Sequence, residues 1–301
     1  MRIVIVTSFL NEEAYLGRLL DSMSRQHRPP DRVLLVDDGS TDRSIEIAAA
    51  FADAHPYATV LRRPAHPPER DRLATAGELR SFQWALAQLA DDWHVVAKLD
   101  ADIELTPATL RTLEERFASD PRLGVAGPYL SFEGPGGPLR QRGRPEHVAG
   151  PVKFYRRRCY EEMGPIPAIL GWDTMDDIAA RRAGWSSASF AMPDGDPLHL
   201  RPVGTHDGLG RAWRRWGLCA WGYGEHPLHV VLVAGQRVRD PPAVLGSLNY
   251  LFGYLRAAVR RAPRAEPGLR AYVRHEQLGR IRRRLLAWLP GRPKPPDGAA
   301  P

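Results

Sequence analysis

Two acidic pairs, each closing a short apolar run, constrain this chain more than any other feature. Asp37-Asp38 follows Arg32–Val36, and Asp100-Ala101-Asp102 follows His94–Leu99. Runs so short and so apolar read as strands buried on both faces, the kind a parallel sheet contains. Ligands of such sheets sit beyond the carboxyl ends of the strands. Carboxylates carried to one edge by neighbouring strands therefore make a crevice. The D-x-D spacing brings Asp100 and Asp102 near one point. Hard oxygen donors of this kind suit Mg2+ or Mn2+, which keep positions open for phosphate oxygens.

The elements around the pairs support that sheet. Ile3–Val6 reads as the first strand. Asn11 is expected to cap a helix with Glu12 and Glu13 in its first turn, and Leu16, Leu19, Leu20 and Met23 form its apolar stripe. Val33–Val36 is the second strand, completing a parallel βαβ unit. Gly39 is expected at positive φ, with Ser40, Thr41 and Asp42 capping the next helix. Thr59–Leu61 is a third strand, Arg62–Arg72 a loop, and Leu79, Phe82, Leu86 and Leu89 mark a further helix. Thr106-Pro107 opens another helix. Later, Gly124–Phe132 and Val152–Tyr155 read as strands, Gly134–Arg144 as a mobile loop, and Ile178–Ala183 as a helix stopping at Gly184. Ser189–Met192 and Leu198–Leu200 are strand-like, and after Asp207 the reading is helical. The expected fold is α/β: an open, mostly parallel, Rossmann-like sheet with helices on both faces, plus a helical C-terminal extension. The expected boundaries are 1–205 for the sheet domain, split into a nucleotide-binding half (1–120) and an acceptor-binding half (121–205). The helical extension is placed at 206–289 and a disordered tail at 290–301.

With 301 residues, 43% of them hydrophobic, a sizeable core is available. The net charge of +7 is unevenly placed. From Leu251 onward there are 12 Lys/Arg against 3 Asp/Glu, a surplus of 9 that leaves the first 250 residues at −2. A basic tail beside a slightly acidic body argues against a nucleic-acid partner and for an anionic partner of the tail. Its last helix carries Leu269, Tyr272, Val273, Leu278, Ile281, Leu285 and Trp288-Leu289 on one broad side and Arg on the other. Either it lies on an anionic membrane or it packs on the rest of the chain with its Arg exposed. Two cysteines form no disulfide framework and fit a reducing compartment. No run approaches ~18 apolar residues and the first residues lack a secretory pattern. The expected location is therefore cytoplasmic, peripheral on the inner face of the membrane.

A strand followed by Leu10-Asn11-Glu12-Glu13, then Val36-Asp37-Asp38-Gly39-Ser40-Thr41-Asp42, then Lys98-Leu99-Asp100-Ala101-Asp102-Ile103, resembles the inverting family-2 nucleotide-sugar glycosyltransferases of the GT-A fold. The resemblance covers about residues 2–200. It implies that Thr7, Ser8, Asp37 and Asp38 contact the nucleotide, with Arg80 of Gly77-Glu78-Leu79-Arg80 as a further candidate. It implies that Asp102 ligates the metal bridging the diphosphate and that Asp100 lies near the ribose and the metal. The implied reaction moves a sugar from a nucleotide diphosphate donor, UDP-linked by expectation, to a hydroxyl of a saccharide or lipid-linked acceptor. No G-x-G-x-x-G follows the first strand, which argues against a dinucleotide enzyme.

Inverting transfer needs a base. The family places a Glu-Asp pair before a helix that ends at Gly. Here Gly171-Trp172-Asp173-Thr174-Met175-Asp176-Asp177 precedes Gly184, which puts Asp173 at the base position and Trp172 where the Glu usually stands. Asp176 is the second candidate; alternatively all three aspartates cap the helix. Trp172 either stacks on an acceptor sugar or packs in the core. His199 is either a third metal ligand or structural, with His206 as a substitute. Tyr155-Arg156-Arg157-Arg158 offers charge to a leaving diphosphate or a lipid phosphate, or is a solvated run. Two rivals remain. A sugar-phosphate nucleotidyltransferase wants a Gly-rich, basic loop after the first strand, and Thr7–Glu13 has neither. A non-catalytic glycan- or lipid-binding module has no reason to keep several carboxylates together.

Overall fold

In a computed structural model the chain is described over residues 1–65, 75–89, 92–134, 137–141, 143, 145–201 and 209–287. It divides into two units, Met1–His206 and Asp207–Pro301.

The first unit opens with β1 (Ile3–Phe9), α1 (Leu16–Ser24), β2 (Arg32–Asp37), α2 (Ser44–Ala54) and β3 (Ala58–Arg62). Then come α3 (Gly77–Leu86), β4 (Val95–Leu99), β5 (Ile103–Glu104), α4 (Thr109–Ser119) and β6 (Leu123–Pro128). It finishes with β7 (Ser131–Gly134), β8 (Gly137–Arg140), β9 (Val152–Arg156), α5 (Arg157–Glu162), α6 (Trp172–Arg182), β10 (Ser186–Phe190) and β11 (Leu198–His199). Seven strands form one sheet in the order β10-β6-β9-β4-β1-β2-β3. Strand alternation fills both faces. Ile3, Ile5, Val33, Leu35, Val95 and Ala97 bury against α1, α2 and α4, while Val4, Val6, Leu34, Val36 and Val96 bury against α3 and α6. Each such Val, Leu or Ile stabilises the fold by about 1.5–3 kcal/mol, which is why these strands read as near-continuous apolar runs. The expected α/β architecture, with helices on both faces of a mostly parallel sheet, is the one observed.

One strand breaks the parallel order. β9 runs antiparallel to both neighbours, pairing Leu99 with Val152 and Val95 with Arg156 on β4. Its beginning therefore lies at the carboxyl edge of β4 and its end at the opposite edge.

A second sheet, β5-β11-β7-β8, flanks the first. It contains the correction to Gly134–Arg144: β7 and β8 form an antiparallel hairpin, with Gly134 opposite Gly137. β8 is exposed throughout, so no buried alternation betrayed it. Asn11 is a second correction. It caps no helix; its backbone is left-handed at φ 57, its Oδ1 accepts the Thr41 N–H at 2.8 Å, and α1 begins only at Leu16. Asn tolerates that conformation because its short polar side chain bonds locally. α6 also starts earlier than the apolar periodicity suggested, at Trp172, which places all three aspartates in its first two turns.

The second unit is helical: α7 (Leu209–Tyr223), α8 (Pro227–Gln236), α9 (Ala243–Val259) and α10 (Pro267–Ala287). Trp213, Ala220, Val230, Ala234, Tyr250 and Tyr254 are its core. On α10, Leu269, Val273 and Gln277 are buried, and Gln277 Oε1 accepts the His226 N–H at 2.8 Å. The stripe expected to face a membrane is thus partly used for packing inside the unit. His206, the side chain of Leu285, and residues 288–301 lie outside the described residues. Among the described residues no helix is long and apolar enough to cross a membrane.

Candidate active site

β4, β1 and β2 are adjacent, so the three acidic or polar strand ends meet along one edge of the sheet. Pairing of Ser8 with Val36 and of Phe9 with Asp37 sets the first two level. Asp37 is buried and accepts the Ser40 N–H at 2.9 Å, closing a turn over Gly39 at φ 97, as the sequence indicated. Asp38 is buried too; its Oδ1 accepts from Arg63 Nη1 at 2.8 Å. Arg63, just beyond β3, was missed because a lone cation after a strand has no spacing signature. Ser8 is half-buried, whereas Thr7 is fully buried with an Oγ1 that has no partner among the described residues. Arg80 on α3 donates to the Thr75 carbonyl at 2.8 Å.

Asp100 lies at the end of β4. Lys98, two residues earlier on the same face, donates to its carboxylate and to the Gly150 carbonyl at 3.1 Å. The Lys98 ammonium lies 5.0 Å from the Trp172 ring, and Trp172 Nε1 donates to Glu78 Oε1 at 3.0 Å. Trp172 is buried in the core, which favours packing over an open stacking surface. Burial raises the Asp100 carboxyl. The Lys98 charge pulls it back, Asp102 and Glu78 push it up again, and it stands at about 6.

Asp102 is held from another direction. β5 follows it immediately and pairs with β11, His199 opposite Ile103, so His199 Nε2 comes to 3.3 Å from Asp102 Oδ2. Arg201 Nε donates to the same oxygen at 2.8 Å, and its Nη2 reaches Glu12. Burial raises the Asp102 carboxyl, but the hydrogen bonds and charges of His199 and Arg201 outweigh it and hold it at about 2. Glu12 is half-buried, with an enclosed Oε2 that has no partner among the described residues; burial raises its carboxyl above the usual range in spite of Arg201. Sequence reasoning found Asp102 and His199 but missed Arg201, two residues beyond His199.

The α6 aspartates fall into two environments. Asp176 is fully buried: Lys153 Nζ reaches its Oδ1 at 2.5 Å and Tyr155 Oη donates to its Oδ2 at 2.6 Å. Burial drives its carboxyl to about 7, with Lys153 opposing and Asp177 assisting. Asp177 accepts from Val148 N at 3.1 Å and lies 2.8 Å from His147 Nδ1. Asp173 alone of the three is half-buried rather than buried. Its carbonyl accepts from Lys153 at 2.5 Å, and its side chain presses on Gly150, where an added Cβ would stand 3.3 Å from Oδ2. Gly150 also leads into Pro151, whose carbonyl accepts the Asp100 N–H at 2.9 Å. One short loop therefore adjoins Asp100 and Asp173.

The basic run does not join them. Arg156 pairs with Val95 at the far end of β4 and donates to the carbonyls of Leu123, Phe117 and Asp120. Arg157 and Arg158 pair with Glu161 and Glu162 on α5, and Tyr155 is buried. The antiparallel course of β9 puts this run roughly 15 Å from the acidic edge, too far to serve a leaving diphosphate.

As to metal, Asp102 and His199 offer one hard oxygen and one imidazole nitrogen in proximity, and His199 Nδ1 is buried with no partner among the described residues. That pair suits Mn2+ or Mg2+ when phosphate oxygens and water complete the shell. Among the described residues no group of three or more His, Cys, Asp or Glu is assembled.

The model of glycosyl transferase family 2 matches residues 4–182. The chain is 26% identical over 308 residues to the N-acetylglucosaminyl-diphospho-decaprenol L-rhamnosyltransferase of Mycobacterium tuberculosis, covering 92% of this chain and 94% of that one. Among solved structures it is similar to a mannosyltransferase from Pyrobaculum calidifontis in complex with GDP-Man and Mn2+. The TM-score is 0.52 at 18% identity, covering 96% of this chain and 81% of that one. It is also similar to S. aureus TarS 1-349 in complex with UDP, with a TM-score of 0.50 at 15% identity, covering 86% and 72%. Identities this low establish the GT-A-like fold, while the family match covers more than half of the chain. The chain belongs to glycosyl transferase family 2 and is a nucleotide-sugar glycosyltransferase.

Proposed function

We propose that the enzyme is a metal-assisted, inverting transferase that moves a sugar from a UDP-linked donor to a hydroxyl of a saccharide, most specifically a lipid-linked one. The observation that carries this is the Gly150–Pro151 loop, which adjoins Asp100 on one side and the accessible Asp173 on the other. In this reading Asp173 is the base. It takes the proton of the acceptor hydroxyl as the new glycosidic bond forms at the anomeric carbon and the bond to the diphosphate breaks. The N-terminal turn of α6 favours its negative charge. Asp176 is set aside as base because Lys153 and Tyr155 enclose it; it positions the turn instead. Ser8, Asp37 and Asp38 line the nucleoside end, with Thr7 beneath and Arg80 to one side. Asp102 and His199 would hold the cation, with Asp100 near it and near the ribose. When bound, a divalent ion neutralises charge on the departing diphosphate. Residues 1–120 then form the donor half and 121–205 the acceptor half.

A lipid-linked acceptor is supported by the Mycobacterium tuberculosis relative, which aligns over nearly its whole length and is named for an acceptor on decaprenol diphosphate. Such an acceptor would place the enzyme on a membrane surface. The test is a thermal-shift series with UDP, GDP and dTDP, each with and without Mn2+. Stabilisation by UDP that grows with Mn2+ and is lost in Asp102→Asn supports the reading. Stabilisation by another nucleotide alone reassigns the donor, and no stabilisation by any defeats it.

A further inference from the structure

α9 is apolar on the side that faces water. Its inner side, centred on Tyr250 and Tyr254, is buried. On the opposite side Val244, Leu245, Leu248, Phe252, Leu255 and Val259 are between 50% and 84% exposed. At about 100° per residue these six fall within an arc of about 100° and run for about 22 Å. A helix on a water-soluble surface carries polar residues there. Scattered exposed apolar residues call for no account, but a continuous stripe does. α8 adds Leu228, Val231 and Leu232, also exposed.

The charged side chains carried by α7 and α9 are all arginines. Arg256 and Arg260 stand at its edge, and with Arg214 and Arg215 of α7 they border a cavity of about 340 Å³ walled by Leu218 and Phe252. Arg214 donates to Asn249 Oδ1 at 2.6 Å and stacks 5.5 Å from the Phe252 ring. Arg256 and Arg260 pair with no carboxylate among the described residues, and α7, α8 and α9 contain no Asp or Glu. Two copies of the chain pairing stripe to stripe would offer these arginines no acidic partner from α7, α8 or α9. An anionic lipid surface instead supplies acyl chains for the stripe and phosphates for the arginines.

We propose that this face docks on an anionic bilayer, with the α9 stripe at the headgroup–acyl boundary and the arginine-lined cavity holding a lipid phosphate. It extends, and in that sense rests on, the lipid-linked acceptor reading, and it moves the membrane contact from α10 to α9. The test is co-sedimentation of the full chain with phosphatidylcholine vesicles, with or without about 30 mol% phosphatidylglycerol, alongside L248E/L255E and R256E/R260E. The wild type is expected to pellet with the anionic vesicles, and each variant to lose roughly thirtyfold or more in partitioning. All four substituted positions are exposed, so the variants are expected to keep the fold, and unchanged far-ultraviolet dichroism and UDP-induced stabilisation check it. Variants that pellet like the wild type, or a wild type that ignores anionic vesicles, overturn the proposal. So does a dimer in sedimentation velocity that L248E/L255E dissociates while vesicles bind neither protein. Nucleotide stabilisation is read separately: its loss with vesicle binding intact defeats the transferase site alone.

Discussion

Asp173 and Asp176 are three residues apart on one helix yet face different tasks, and substitution separates them. Asp173→Asn keeps the shape of the side chain and removes the proton acceptor, so turnover is expected to fall by about 10²–10⁴ while the melting temperature holds. Steady-state transfer assays beside a thermal melt check this; full activity would move the base elsewhere. Lys153 serves both residues, touching the Asp173 carbonyl and the Asp176 carboxylate from within the core. Burial lowers its ammonium, and Asp176, Asp177 and Asp173 more than reverse that. Lys153→Met strands buried carboxylates and is expected to cost about 3–5 kcal/mol in urea unfolding, with part recovered by adding Asp176→Asn. At this scale the sequence was half legible. Asp102 and His199 stood out because a carboxylate pair and a later imidazole are the donors a cation needs. Arg201, Arg63, Lys98 and Lys153 did not, since a single cation declares its partner only once the chain has folded.

Elements were legible where burial imposes a period. β1, β2 and β4 are predominantly apolar and buried along nearly their whole length, and α1 keeps its stripe of Leu16, Leu19, Leu20 and Met23 buried. β8 was hidden because an exposed strand carries no alternation, and the start of α6 was hidden because its first turns carry aspartates among the apolar residues. The direction of β9 was not readable at all: residue type reports burial of a strand, not which way it runs. That direction puts the Gly150 loop against Asp173. An added Cβ at Gly150 would lie 3.1 Å from Asp173 Cβ, so one of the two must give way. Gly150→Ala is expected to lower kcat about tenfold with a smaller change in KM, because misplacing a base harms the transition state more than substrate binding. Equal kcat in the two proteins would show that the loop does not set the base.

For the whole molecule, Asp176 is one of several buried acids that make stability depend on pH. The native state holds the Asp176 proton up to about pH 7, whereas the unfolded chain releases it near the ordinary 3.8. The native state therefore binds more protons between these values. Its stabilising contribution is complete below the lower value and lost as pH rises through the upper. The unfolding free energy of the wild type minus that of Asp176→Asn should accordingly fall between pH 4 and 7.5, measured by urea titration at both ends. A difference that stays flat would mean the carboxylate is already ionised at the lower pH. The charge map was legible from the start, in the surplus of 9 after Leu251, but its apolar complement on α9 was not. Helical periodicity tells how many faces are apolar, and only tertiary packing decides which is covered.

The reversed strand has one more consequence. In a sheet whose strands all point the same way, every loop at the ligand edge follows a strand, and its length is tied to the helix that comes next. β9 starts at that edge, so the chain ahead of it, from β8 to Pro151, can lengthen, shorten or change chemistry without shifting β1, β2 and β4. On the transferase reading proposed above, a lineage of such enzymes can change the acceptor it glycosylates in that one stretch while leaving the donor-binding strand ends untouched.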